Sequence, residues 1–286
     1  IFTELGKLFL KKNGYIVGAK YNEKHLVEHF SVNDEIGLSM LRKSKYTQSS
    51  IGLIFRETKK LLEQDKYVLF VGTPCQIAGL RKFLNKDYHN LLICDLVCHG
   101  VNSPLVYLKY LEELENEYKS KVRSVDFRNK GNGWKNFHIK IIFNNNQEYY
   151  KEQGKEPFYR GFIKNLYLRP SCYKCNFKGF PRFSDITLAD FWGVERSYKN
   201  IDNIDIDKGI SLIMIHSKKG QQYFDKLDCK IYKIESSIEV ALPYNPCINH
   251  SSKIDKSIRN EFFKQVKYNM NVSKTIKEYI KVIDKR

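Results

Sequence analysis

No run of about 18 apolar residues occurs in the chain, so the sequence offers no transmembrane helix. No secretory leader opens it. The dinucleotide fingerprint G-x-G-x-x-G is missing, so any dinucleotide must be held in another way. Arginine is scarce, 11 residues against 38 lysines, and no arginine-rich block or DNA-binding motif accompanies the formal net charge of +17. The lysines are scattered rather than striped. That fits a compositional drift toward Lys, Asn, Ile and Tyr better than a nucleic-acid groove, with an acidic protein or cofactor as the other explanation of the charge. There is no long linker, and no internal repeat beyond two strand–loop–helix units.

What is present excludes disorder: 286 residues, 42% hydrophobic and 14% aromatic, enough for one large domain or two small ones. The chain starts at Ile1 rather than Met and is read as a fragment, and a cytoplasmic location is expected. Seven cysteines are an odd number, which argues against a fully paired disulfide framework and for metal or redox chemistry in a reducing compartment.

The spacing of apolar residues predicts a helix over 2–13, strands over 15–21 and 25–32, and a short helix to about 43. The polar segment Arg42 to Ser50 then offers cations and hydroxyls suited to phosphate, or simply a solvated loop. An amphipathic helix follows over 51–65. Tyr67 to Val71 reads as a strand buried on both faces and leads through Gly72-Thr73-Pro74-Cys75 into a helix. Cys75 thus sits at a helix N-terminus, an end that favours anions. Leu91 to Val97 repeats the pattern, ending at Cys98-His99-Gly100 before a helix from Pro104. Two such units imply a parallel sheet, with both loops at its carboxyl edge, where α/β ligands bind. Cys94, inside its strand, reads as core. Antiparallel strands are expected over 122–128, 137–143 and 147–151, with a basic turn at 129–135 that carries Trp134. A helix over 158–168 delivers the chain to C-x-x-C, Cys172 and Cys175. Further on come strands at 210–217 and 230–234, a helix at 221–227, and basic, peripheral helices from about 257. The fold class is therefore α/β: a mixed sheet with a parallel core of strand–loop–helix units, plus antiparallel strands and a helical C-terminal extension. Boundaries are drawn after residues 85 and 245.

Cys75, Cys98, Cys172 and Cys175 make four thiols from three loops. Four thiolates suit a cubane iron–sulfur cluster or zinc, although zinc is more often served by two paired motifs. Inert cysteines are the third reading. Cys75 with His99 as nucleophile and base is a fourth. A zinc-stabilised basic module that binds nucleic acid is the alternative to an enzyme. Asp190 and Trp192 close the apolar run after the pair, against either a cofactor or the core.

The strings G-T-P-C-Q-I-A-G-L-R-K (72–82), L-V-C-H-G-V-N-S-P (96–104) and L-R-P-S-C-Y-K-C-N-F-K-G-F-P-R-F-S-D-I-T-L-A-D-F-W-G (168–193) resemble the coenzyme F420 hydrogenase/dehydrogenase beta-subunit family. R-K-S-K-Y-T-Q-S (42–49) is similar to a segment that its members carry upstream. The resemblance, over roughly 1–245, implies an iron–sulfur flavoprotein oxidoreductase that relays electrons between a [4Fe-4S] cluster and FAD, with hydride transfer to or from a small-molecule substrate. That substrate is an F420-type deazaflavin in some relatives, and nothing in this sequence identifies it here. The resemblance further implies cluster ligation by Cys75, Cys98, Cys172 and Cys175, and cofactor contacts from Ser44, Lys45, Tyr46, Gln48, Ser49, Thr73, Gln76 and His99. Arg128, Lys130 and Trp134 fall in a family-like stretch suited to an anionic cofactor or substrate. A ferredoxin-like protein is the expected electron donor. The cysteine-rich N-terminal segment and Ser-Gly-Gly motif of many members do not appear, and they are expected to precede Ile1.

Overall fold

The computed structural model describes residues 1–198, 204–227, 231–269 and 271–285. In chain order its strands are β1 (Tyr15–Tyr21), β2 (Val27–Val32), β3 (Ser49–Ser50), β4 (Val68–Gly72), β5 (Leu91–Leu96), β6 (Val122–Asn129), β7 (His138–Phe143), β8 (Glu148–Glu152), β9 (Ile186–Asp190) and β10 (Ser211–Ile215). Two compact units are formed, each from several separate stretches. The first takes Ile1–Arg42, Ser49–Cys98 and Asn176–His250, and the second Lys43–Gln48, His99–Cys175 and Ser251–Arg286.

The first unit is built on a seven-stranded sheet of order β10-β9-β5-β4-β1-β2-β3. Its centre is parallel: β1 pairs with β4, β4 with β5, and β5 with β9. The hairpin β1–β2 and the pair β9–β10 are antiparallel. Alternation along the central strands explains why they read as continuous apolar runs. Ile16, Leu69, Leu92 and Cys94 pack on one face with Leu5, Phe9 and Leu38. Val17, Val68, Phe70 and Ile93 pack on the other with Ile54, Ile77 and Leu80. Helices Phe2–Leu10 and Glu35–Leu41 thus cover one face, and helices Ile54–Glu63 and Pro74–Leu84 the other. A sheet sealed on both sides needs apolar residues at every position. Each fully buried leucine or phenylalanine there contributes about 1.5–3 kcal/mol.

The second unit combines the antiparallel sheet β6-β7-β8 with helices Pro104–Tyr118, Pro157–Ile163, Lys256–Tyr268 and Val272–Asp284. Its core is aromatic: Tyr110 stacks on Phe158 at 4.9 Å and Tyr167 on Phe262 at 5.7 Å between centroids. The two C-terminal helices, expected to be peripheral, are part of this core, with Phe262, Val266, Val272 and Ile276 fully buried. Their many lysines mask an apolar stripe at helical spacing.

The fold class is the one the sequence implies, a mixed α/β chain with a parallel centre, a separate antiparallel sheet and C-terminal helices. Local boundaries differ. The helix expected to reach Leu168 stops at Ile163, because Asn165 takes a left-handed conformation at φ 62°. Lys230 lies outside the described residues, and 231–234 forms no strand, leaving β10 as the sheet's outermost strand on that side. No helix among the described residues is long and apolar enough to cross a membrane.

Candidate functional site

In the first unit, the carboxyl ends of β4, β5 and β9 lie side by side because the three strands are parallel. β4 ends at Gly72 and passes through Thr73 into helix Pro74–Leu84, with the fixed φ of Pro74 suited to its first position. Cys75 is exposed there, and its sulfur lies 3.2 Å from the Thr73 hydroxyl. β5 runs out through Val97 to Cys98, which is half-buried. β9 brings Asp190, Phe191 and Trp192 to the same edge, and Phe191 is buried. The following Gly193 has φ 76°, and a Cβ there would fall within the Tyr244 ring, so only glycine fits.

Thr73 and Gln76 flank Cys75 as expected, and both serve the helix start: the Thr73 amide donates to Gln76 Oε1 at 2.9 Å. Gln76 Nε2 also donates to the Ser49 carbonyl at 3.4 Å. The Ser49 hydroxyl is taken by His29, 2.7 Å from its Nδ1. His29 has no place in the sequence reading. Lys178 donates to the carbonyl of Cys98 and, at 3.0 Å, to that of Cys247, so one ammonium holds both backbones. Burial pushes the Cys247 thiol up, against the opposing pull of Lys178.

A buried polar cluster beneath this edge was also missed. Arg182 and Asp95, 2% and 1% exposed, pair at 3.3 Å. Thr187 donates to Asp95, receives Arg182 Nε at 3.3 Å, and lies 2.8 Å from His216 Nε2. Burial pushes the Asp95 carboxyl up, opposed by Arg182, Thr187 and Ser184. Burial, reinforced by Arg182, lowers His216 to about 4. These residues are scattered from 95 to 216, so no local motif announces them.

In the second unit, the C-x-x-C pair lies in and just after a 3-10 turn, Pro170–Lys174, with both thiols half-buried. The Cys172 amide donates to the Arg169 carbonyl at 2.8 Å. The Tyr173 hydroxyl donates to the Asn165 carbonyl and accepts from the Leu168 amide. The Ser251 hydroxyl receives the Cys175 amide at 3.0 Å. The turn is therefore framed on both sides. His99 packs edge-on against Phe162 at 4.8 Å, and its carbonyl accepts from Ser252.

The same unit holds Ser44, Lys45, Tyr46 and Gln48. Asn102 grips this segment twice, donating from Nδ2 to the Tyr46 carbonyl at 2.6 Å and accepting from the Gln48 amide at 3.3 Å. The Tyr46 ring sits among Phe127, Tyr159 and Phe162. Burial lowers Lys45 to about 8, with Asp126 opposing and Lys43 adding to the shift. Arg128 lies over the Phe137 ring at 4.8 Å. Trp134, at the basic turn, is fully buried and belongs to the core.

Of the twelve site residues read from the sequence, the structure puts Cys75, Cys98, Ser49, Thr73 and Gln76 in the first unit, and Cys172, Cys175, His99, Ser44, Lys45, Tyr46 and Gln48 in the second. None of the four expected ligands is in a disulfide, and thiols are donors of the soft kind that iron–sulfur clusters and zinc take. Among the described residues, no three His, Cys, Asp or Glu side chains are already gathered as a metal site. Thr47 Oγ1 in the segment at 44–48, and Oδ1 of Asn102 which grips that segment, are buried with no hydrogen-bond partner among the described residues. Such atoms suit a polar ligand, as a flavin contact requires.

Fold and site together define an open α/β protein with cysteine-bearing loops at the carboxyl edge of parallel strands. The chain belongs to the family described as the C terminus of the coenzyme F420 hydrogenase/dehydrogenase beta subunit, which it matches over residues 65–239. That description is of part of a redox enzyme, and all four expected ligand cysteines fall inside the matched stretch. The chain is also similar to a chain of the F420-reducing [NiFe] hydrogenase complex from Methanosarcina barkeri, solved with xenon. The TM-score is 0.54 at 13% identity, covering 100% of this chain and 84% of that one, which is a likeness of fold. No curated protein matches.

Proposed function

We propose that this chain is an oxidoreductase subunit that relays electrons between a [4Fe-4S] cluster and FAD, with hydride exchange to or from a small-molecule substrate. The observation that carries the reading is the family match over the stretch holding Cys75, Cys98, Cys172 and Cys175, none of them in a disulfide. These four are the proposed cluster ligands. A bound cluster supplies single-electron transfer and a bound flavin supplies hydride chemistry.

The chain's own residues do the holding. In the first unit, the helix start built by Thr73, Pro74 and Gln76 fixes Cys75, and Lys178 fixes the backbone at Cys98. In the second, Tyr173 and Ser251 hold the turn that carries Cys172 and Cys175. Ser44, Lys45, Tyr46 and Gln48 are proposed to meet the flavin, with Asn102 as the residue that orders them. Arg128 is proposed to meet an anionic group. The electron donor is proposed to be a small iron–sulfur protein, and the net charge of +17 favours an acidic one.

Anaerobic purification tests the reading. It predicts about four iron atoms per chain, sulfide, and bound flavin. Stoichiometric zinc without iron or flavin, together with steeply salt-dependent binding to nucleic acid, would replace it with the zinc-stabilised module.

A further inference from the structure

We propose that residues 251–259 form a clasp that holds Cys172 and Cys175 as a preorganised dithiol, with Arg259 as its principal positioning residue. The inference deepens the proposed function and rests on it only for what the two sulfurs finally hold. It gives a role to a stretch that lies beyond the family match, which ends at residue 239.

Every contact lies within the second unit. The Ser251 hydroxyl accepts from the Cys175 amide at 3.0 Å and donates to the Cys175 carbonyl at 3.4 Å, so it grips the second cysteine by both backbone groups. The Ser252 hydroxyl donates to the His99 carbonyl at 2.8 Å. The Lys253 carbonyl accepts from Asn165 Nδ2 at 3.1 Å. Asp255 then caps helix Lys256–Tyr268, accepting from the Ser257 amide at 2.8 Å, and the start of that helix presents Arg259. Arg259 donates from Nε and Nη2 to the Leu168 carbonyl, at 3.4 and 3.1 Å. Its guanidinium also lies over the ring of Tyr173, the residue after Cys172, at 5.8 Å. Gly100 comes close as well: at φ 153°, a Cβ there would stand 2.7 Å from Leu168 Cδ1 and 3.4 Å from the Cys172 Cβ.

The consequence is entropic. Two thiols close on one soft atom at low cost only when the backbone between them is already fixed. Spacing alone does not fix it, because the pair rides on a single 3-10 turn, Pro170–Lys174, whose own hydrogen bonds have poor geometry. The clasp ties the entry of that turn at Leu168 and its exit at Cys175 to one short segment. Both thiols are half-buried rather than sealed.

The test titrates the metal-free full chain with phenylarsine oxide, a trivalent arsenical that needs two neighbouring thiols. Each thiol gives its proton to the arsenic-bound oxygen, which leaves as one water while two As–S bonds form, with no change of oxidation state. Capture is read as protection of Cys172 and Cys175 from iodoacetamide, by peptide mapping. Wild type is expected to capture one arsenical at this pair. Arg259→Met should bind it about tenfold more weakly, as the loss of a charge-assisted hydrogen bond implies, and Ser251→Ala about threefold more weakly. Arg259→Lys should recover part of the loss. Val266→Ala opens a cavity on the buried face of the same helix; it lowers stability without touching the turn and should bind as wild type does. Wild-type affinity in both Arg259→Met and Ser251→Ala, or an equal loss in Val266→Ala, overturns the proposal, and Ser251→Ala decides alone if the arginine variant does not fold. No cluster takes part in this experiment, so its result stands apart from the iron analysis that tests the redox reading.

Discussion

His29 Nδ1 lies 2.7 Å from the Ser49 hydroxyl, and its Nε2 lies 3.1 Å from the Val71 carbonyl. A carbonyl only accepts, so Nε2 carries the hydrogen and Nδ1 accepts from Ser49. The imidazole, 7% exposed, ties β2, β3 and β4 together within the first unit. In His29→Leu the Ser49 hydroxyl and the Val71 carbonyl lose their partner. A loss of about 1–3 kcal/mol in urea unfolding is expected. A midpoint equal to wild type would show that the tie contributes nothing.

Asp95 and Arg182 form a second buried relationship. Removing only the cation strands the carboxylate. Arg182→Met should cost about 3–5 kcal/mol, and adding Asp95→Asn to it should restore part of the loss. Equal losses in the single and double variants would mean that the pair is not coupled.

His216 makes stability depend on acid. Its folded value of about 4 lies below the ordinary 6.5, so the unfolded chain takes up the proton first as pH falls. The contribution is therefore complete above about pH 6.5 and is lost as pH falls toward 4. Asp95, pushed up by burial, works in the opposite sense, so the His216 part is read as a difference. Wild type minus His216→Gln should lose stability between pH 6.5 and 4 in thermal melts. A difference independent of pH in that window would contradict the assignment.

The sequence was most informative where structure is local. The apolar runs Val68–Gly72 and Leu91–Leu96 and the Thr73-Pro74-Cys75 turn carry their own periodicity and cap chemistry, and they form as expected. Lysines at 256, 264 and 267 concealed a buried stripe of Ile258, Phe262 and Val266, because overall polarity hid the spacing. Asn165 ended a helix that periodicity alone carried on to Leu168. The Asp95–Arg182–Thr187–His216 cluster and the His29–Ser49 tie are products of tertiary pairing between strands far apart in the chain. Nothing in the residues flanking any one of them points to its partners. Of the candidate site, the thiols were legible from spacing and from resemblance. Their supports, Lys178, Tyr173 and Ser251, were not, because each acts through a backbone group that sequence does not reveal.

The central proposal is that Cys75, Cys98, Cys172 and Cys175 are the ligands of one cluster. Iron content and visible absorbance of anaerobically purified Cys→Ser variants at 75, 98, 172 and 175, with Cys247→Ser as the comparison, test it most directly. The account predicts that each of the four loses most of its iron and absorbance, while Cys247→Ser keeps about four iron atoms per chain. Full iron in the 75 or 98 variant, or loss confined to 172 and 175, would contradict it.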